Sequence, residues 1–221
     1  MPYRVVIIGA GFGGIGMAIA LEQAGIEDFV VLDRADHLGG IWRDNSYPGL
    51  TCDIPSQLDS FSFRPWPWSR RFPARDEILA YLRALVAEHG LDPHLRFGRA
   101  VAAAEFDDRR AAWDLALDDG GTLQATAVVC AVGQLGRPAL PDLPGRDGFA
   151  GPWWHSGRWN HDVDAARRGP KAAGRLRPAV LLARSRPRPP GRPGSGASRR
   201  GAQPGLAGGL RPRLRRPGGL G

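Results

Sequence analysis

The sequence predicts an α/β fold that opens with a parallel βαβ unit, and three observations carry that prediction. A β-branched run, Arg4-Val-Val-Ile-Ile8, stops at a glycine. Glycines then stand at Gly9, Gly11 and Gly14, and a second apolar run, Phe29 to Leu32, ends on Asp33. Strand, glycine turn, helix, strand and terminal acid in that order make a dinucleotide-binding unit of the Rossmann-like kind.

Arg4 to Ile8 has the composition of a strand covered on both faces. Gly9 supplies the tight turn, Gly11 lets a pyrophosphate approach the backbone, and Gly14 lets helix and strand pack closely. The amino terminus of the helix then faces the diphosphate. Ile15, Met17, Ala18, Ile19, Ala20 and Leu21 suit a largely buried helix from Ile15 to Gln23, which Gly25 can end. Asp33 lies 19 residues beyond Gly14, where a carboxylate accepts hydrogen bonds from ribose hydroxyls; a solvated aspartate at a strand end is the alternative. The pattern does not separate FAD from NAD.

Leu38 to Pro73 is rich in Gly, Pro, Ser, Asp and aromatic residues without a sustained period, and reads as a long ordered loop of functional type. Arg75 to His89 resumes a helical pattern through Ile78, Leu79, Leu82, Leu85 and Val86, with Gly90 placed to stop it. Leu95 to Phe106 and Trp113 to Leu117 read as strands, Asp118-Asp119-Gly120-Gly121 as a hairpin turn, and Ala127 to Val132 as a further buried strand. Trp66 and Trp68, set between prolines, read as packing residues.

The uncharged run from Val5 to Leu21 has the length of a signal core, but five glycines interrupt it and a second buried strand follows, so no membrane partner is expected. Cys52 and Cys130 share no metal or disulfide spacing, and the five histidines form no ligand set, so no metal site is predicted. A reducing cytoplasm fits two unpaired cysteines. Charge is divided sharply: the first 164 residues hold 15 basic and 22 acidic residues, a formal −7, whereas residues 165 to 221 hold the other 15 basic residues and no acidic one. The +8 total describes neither part, and the inference from basic charge to nucleic acid applies only to the second, leaving nucleic acid outside the expected partners.

Six further segments carry a family resemblance. Gly39-Gly40-Ile41-Trp42, Asn45-Ser46-Tyr47-Pro48-Gly49, Cys52-Asp53-Ile54-Pro55-Ser56 and Phe61-Ser62-Phe63 resemble, in order and spacing, the flavin-cradling region of Baeyer-Villiger and related class B flavoprotein monooxygenases. Cys130-Ala131-Val132-Gly133-Gln134 is similar to the segment by which such folds return to the FAD phosphates. Phe149, Gly151, His155 and Trp159 match the fingerprint FxGxxxHxxxW of the Baeyer-Villiger group, and Asn160 departs from the Pro or Asp that follows it there.

The resemblance implies FAD and NADPH as cofactors, O2 as co-substrate, a flavin peroxide as oxidant, and a small ketone, amine or sulfide as substrate. It implies a cofactor-binding set of Gly9, Gly11, Gly14, Asp33, Arg34, Gly40, Trp42, Tyr47, Asp53, Val101, Ala131 and Gly133. Trp42 and Tyr47 supply flat apolar surface, and Val101 would touch the adenine side by its backbone. Asp53, a charge near the flavin ring, and His155, tied to nicotinamide handling, are the catalytic candidates.

The resemblance covers residues 1 to 162. It implies an incomplete FAD-binding domain over 1–145 and a linker with the fingerprint over 146–164, so that the chain alone is not expected to complete the monooxygenase cycle, while composition marks 165–221 as a disordered Arg/Pro/Gly-rich tail. A second strand and GxGxxG are due soon after the fingerprint. Instead, Pro178-Ala-Val-Leu-Leu-Ala183 is the one apolar run left, and Gly194-Ser-Gly196-Ala-Ser-Arg199 puts arginine where the third glycine belongs. From Ala165 onward Arg, Gly and Pro fill 14, 12 and 9 of 57 positions, with no aromatic or acidic residue. Codons for these residues and alanine can begin with two G or C bases, so the expectation is a frameshift near Asp162 to Ala165. The competing reading is a genuine basic tail, attracted to phosphate backbones. The alternative functions are a non-catalytic flavin or nucleotide binder and a nucleic-acid binder acting through that tail.

Overall fold

The computed structural model describes residues 2–163 together with 181–182; apart from Leu181 and Leu182 the expected tail lies outside the described residues, and so does the part of the expected frameshift region beyond Val163. Strand β1 (Tyr3–Ile8) buries Val5 and Ile7 in one apolar cluster and Val6 in another, as the two-residue period of a strand requires. Strand β2 (Phe29–Leu32) divides in the same way, with Phe29 and Val31 on one side and Val30 and Leu32 on the other. The sheet is therefore covered on both faces, as its unbroken β-branched runs predict.

The first face is covered by helix α1 (Phe12–Gln23) through Ile15, Ala18 and Ile19, and by helix α3 (Arg75–Glu88) through Tyr81, Leu82, Leu85 and Val86. Between these two lies the four-residue helix α2 (Ile41–Asp44). Asp76 and Glu77 stand in the first turn of α3, where negative charge complements the helix dipole. Tyr81 anchors the loop that precedes α3: its hydroxyl accepts from the Phe61 amide at 2.8 Å and donates to the Arg64 carbonyl at 3.0 Å. Trp66 and Trp68 pack on the Tyr81 ring at centroid distances of 5.4 and 5.5 Å, in the packing role their sequence context predicts.

The remaining strands are β3 (Leu95–Arg96), β4 (Val101–Asp107), β5 (Ala112–Leu117) and β6 (Thr122–Cys130). The six form one sheet in the order β3-β2-β1-β6-β5-β4, parallel from β3 to β6 and antiparallel from β6 to β4. Leu115, Leu117 and Ala125 of the antiparallel part complete the second apolar cluster with Val6, Val30 and Leu32. Rossmann-like α/β architecture is thus observed.

Four expectations need correction in detail. The single strand expected from Leu95 to Phe106 is two strands on opposite edges of the sheet, because Gly98, at φ +64°, turns the chain away from β2. The amides of Gly98 and Arg99 donate to the carbonyls of Ala35 and Asp33 at 2.8 and 2.9 Å and fix that crossing. Helix α1 starts three residues before its first large apolar residue, Ile15. Strand β6 starts at Thr122 rather than Ala127, since its first half pairs with β5 and its second with β1. A two-residue strand β7 (Trp153–Trp154) pairs with β8 (Leu181–Leu182), which the proline-marked composition hid.

Candidate functional site

Strands β1, β2 and β6 end side by side, and the chain that leaves each of them builds the site. Gly9 leaves β1 at φ +109°, a conformation only glycine adopts freely, and its amide donates to the Leu32 carbonyl at 2.7 Å. A Cβ on Gly9 would strike the carbonyl oxygen of Ala131, and one on Gly14 would strike the carbonyl oxygen of Gly9. Ala131, held to the Ile8 carbonyl at 2.9 Å, therefore closes over the glycine turn on the side of β6. A Cβ on Gly40 would lie 3.2 Å from the Gly11 Cα, so the glycine pair before α2 reaches the start of α1 by main chain alone. Gly11 caps α1 with no side-chain hydrogen bond, and no acidic residue stands in the first turn. The amides of that turn are thus free of side-chain acceptors, the arrangement an incoming anion needs.

Asp33 follows β2 and is buried. Its Oδ2 accepts from the Ala10 amide at 2.8 Å, and its Oδ1 from the Ala35 amide at 2.9 Å and from Arg43 Nη1 at 3.1 Å. Arg43, on α2, is buried as well; Nη1 also donates to the His37 carbonyl at 2.6 Å and Nε to Asp44 Oδ1 at 2.8 Å. Burial alone would lower the guanidinium pKa, but its bonds to Asp44 and Asp33 raise it above the ordinary value, so Arg43 is a fixed cation. Arg34 reaches the third strand end, with Nη2 donating to the Gly136 carbonyl at 2.6 Å and lying 3.9 Å from Asp44 Oδ2. From α3, Arg75 donates Nε to the Trp42 carbonyl at 2.7 Å and Nη2 to the Arg43 carbonyl at 3.3 Å, satisfying the end of α2.

The aromatic part of the site lies beyond α2. Burial, and then the charge of Asp53, hold the Tyr47 phenol above its ordinary pKa, which places the exposed Asp53 within electrostatic reach of it. The Tyr47 and Trp159 rings are 6.3 Å apart, Ser46 Oγ lies 2.8 Å from His161 Nε2, and a Cβ on Gly157 would meet Asn45 Oδ1 at 3.5 Å. The fingerprint segment therefore packs on the loop of Asn45 to Tyr47. His155 is half-buried, and its Nδ1 accepts from the Gly157 amide at 3.0 Å, which assigns that nitrogen as the unprotonated one. Cys52, next to Asp53, is buried; burial and then Asp59 push its thiol up to about 11.

Of the predicted residues, Gly9, Gly11, Gly14, Asp33, Arg34, Gly40 and Ala131 meet at the strand ends, Tyr47, Asp53 and His155 belong to the aromatic part, and Trp42 lies on α2 between them, its carbonyl held by Arg75. Gly133 follows Ala131 at φ +68° in open space. Val101 begins β4, two residues after the Arg99 amide that bonds Asp33. Sequence reasoning missed Arg43 and Arg75; the signal was a basic residue directly after the Gly-Gly-Ile-Trp segment, beside an acid. One cleft of about 580 Å³ is lined by Trp66, Trp68, Arg70 and Arg71, and another of about 360 Å³ borders the aromatic part through Tyr47, with Thr51, Arg70 and Arg75. Among the described residues no helix is long and apolar enough to cross a membrane, and no three His, Cys, Asp or Glu side chains gather as a metal site.

Residues 6–151 match the family of pyridine nucleotide-disulphide oxidoreductases. A Baeyer-Villiger monooxygenase of Streptomyces coelicolor is 51% identical over 164 residues, which are 74% of this chain and 31% of that protein. A second, from Pseudomonas aeruginosa, is 40% identical over 162 residues, again 31% of its length. Among solved structures, cyclohexanone monooxygenase from Rhodococcus sp. Phi1 bound to NADP+ superposes with a TM-score of 0.65 at 36% identity, over 75% of this chain and 32% of that one. OTEMO in complex with FAD and NADP gives 0.66 at 30% identity, over 77% and 32%. The chain spans about a third of the length of these relatives.

Proposed function

Because the chain belongs to the family of pyridine nucleotide-disulphide oxidoreductases, we propose that it binds FAD across the ends of β1, β2 and β6 and serves an NADPH-dependent flavin monooxygenation. The residues present fit the cofactor. The close approach of Gly11 and Gly40 and the side-chain-free first turn of α1 leave main-chain amides for a diphosphate. That uncapped turn, at the point where the strand ends converge, is the observation that carries the reading.

Asp33 would take the adenosine ribose, Arg34, Ala131 and Gly133 would close the nucleotide side, and the Val101 backbone would border the adenine. Gly40, Trp42 and Tyr47 would bound the flavin ring, with Asp53 placing a negative charge near it. His155 would act where the nicotinamide is handled. Bound FAD supplies the reaction with O2 that oxygenates a ketone, amine or sulfide. We assign the chain to a reducing cytoplasm, from the unpaired Cys52 and Cys130, and retain an out-of-register reading of residues 165–221 as part of this proposal.

The test is retention of flavin. The purified chain is mixed with FAD, freed of unbound flavin and scored for bound flavin and its quenched fluorescence, with NADPH consumption then followed with and without ketone and O2. Retained FAD is expected, and a chain that emerges colourless sinks the proposal. Consumption of NADPH indifferent to O2 and ketone would remove the monooxygenase part and leave a flavin binder.

A further inference from the structure

The carboxylate of Asp33 has little freedom left. An ionised carboxylate offers about four acceptor positions, and three are taken: by Ala10 N–H on Oδ2, and by Ala35 N–H and Arg43 Nη1 on Oδ1. The open position is on Oδ2, the oxygen already tied to the glycine turn. Of the three donors, two are main chain and would survive any substitution. Only Arg43 brings a charge, 3.1 Å from Oδ1 and buried together with the carboxylate.

Arg43 is itself held from several directions. Its Nη1 is shared with the His37 carbonyl, its Nε is spent on Asp44, and the main chain around it is gripped by Arg75 from α3. Terminal torsions of aspartate are broad and two-fold. With the amide bonds alone, the carboxylate plane could tilt and the oxygen facing Ala35 would also keep an open acceptor position; with Arg43 on that oxygen, the one open position is on the oxygen held by Ala10.

We propose that Arg43 is a positioning residue for nucleotide binding, which acts through Asp33 by holding its carboxylate so that one oxygen is reserved for a ribose hydroxyl of the ligand. The inference rests on the reading of Asp33 as the ribose acceptor and adds the residue that makes that acceptor selective. A purely structural Arg43 would hold α2 in place and weaken every ligand alike. A positioning Arg43 affects only ligands that carry the hydroxyls.

The experiment compares ADP with 2′,3′-dideoxy-ADP as competitors of FAD on the wild-type chain and on Arg43→Met, Arg43→Lys and Asp33→Asn, with circular dichroism and thermal unfolding as checks of the fold. Wild type is expected to favour ADP over the dideoxy nucleotide by about tenfold or more, the worth of a hydrogen bond to a charged acceptor. In Arg43→Met that preference should collapse to within about twofold, and Arg43→Lys, which keeps the charge and loses the fork, should restore part of it. Adding Asp33→Asn to Arg43→Met should change the preference no further. A variant that keeps the wild-type preference while binding both nucleotides more weakly, or that binds ADP more tightly, overturns the inference and leaves FAD binding untouched. Wild type that retains FAD but does not distinguish the two nucleotides overturns the ribose role of Asp33 and this inference with it. Wild type that binds no flavin at all overturns the proposed function first. If Arg43→Met does not fold, the ratio in Arg43→Lys decides by the same criterion.

Discussion

Asp33 and Tyr47 both stand in the candidate site, and they are held in opposite ways. Asp33 is buried and receives two amides and a guanidinium, each itself fixed by a strand end or by α3. Tyr47 is half-buried, touches Trp159 across 6.3 Å and faces an exposed Asp53 through a field rather than a bond. The strand-end part is specified by main chain and buried charge, which leave no room for a Cβ at Gly9 or Gly14. The aromatic part is specified by side-chain surfaces that pack on one another, Tyr47 and Trp154 both against Trp159. Sensitivity should therefore be structural at the strand ends and functional around Tyr47, and substitutions can separate the two.

The largest effect is expected at Gly14. A methyl group there runs into the Gly9 carbonyl, and neither backbone segment can yield. Gly14→Ala should cost at least about 3 kcal/mol of stability and abolish flavin retention. Gly13→Ala, one residue away, places its Cβ 3.7 Å from the Ala131 Cβ, an ordinary contact, and should leave stability unchanged or raise it by up to about 1 kcal/mol through helix propensity. Denaturant unfolding of the pair checks this; equal losses would mean that the turn is not the rigid element described.

Cys52, buried beside Asp53, gives the next effect. Its thiol ordinarily titrates at 9.0 and is pushed up to about 11 in the folded chain. Below pH 9 both states are protonated and the contribution is complete. As pH rises from 9 to about 11 the unfolded thiol ionises first, the unfolded state binds fewer protons, and stability falls. The loss should reach about 2 to 3 kcal/mol across that window, and Cys52→Ala should flatten it. Thiol labelling at neutral pH should mark Cys130, which is exposed, well before Cys52.

The same contrast explains what could be read from the sequence. The glycine turn, Asp33 and the apolar faces of α1 and α3 were legible because each depends on residues close in sequence or on a fixed period. The family fingerprints located Tyr47, Asp53 and His155 without saying that Gly157 would pack against Asn45. Arg43 was not legible, because its partners His37, Asp44 and Asp33 are gathered only when α2 folds under the end of β2. The break at Gly98 was missed for a related reason: alternating residues on both sides of it read as one strand, and only the hydrogen bonds to Asp33 and Ala35 show that the chain changes edges. Two-residue strands such as β7 carry no periodic signal at all.

The smallest effect is the one that isolates the aromatic part from everything beneath it. Tyr47 has its phenol pKa raised by burial first and by Asp53 second. Asp53 is exposed and makes no hydrogen bond to the Tyr47 hydroxyl among the described residues, so Asp53→Asn removes a charge without removing a contact. Followed by the ultraviolet absorbance of phenolate, with Tyr47→Phe to assign the band, the substitution should lower the Tyr47 pKa yet leave it above the ordinary value, since burial persists. Stability near neutral pH should be unchanged, because the phenol is protonated in both states there. A pKa that does not move would mean that the two side chains do not share a field, and the claim that Asp53 places its charge at the aromatic part would fall, while the strand-end site, which rests on Asp33 and the glycines, would stand.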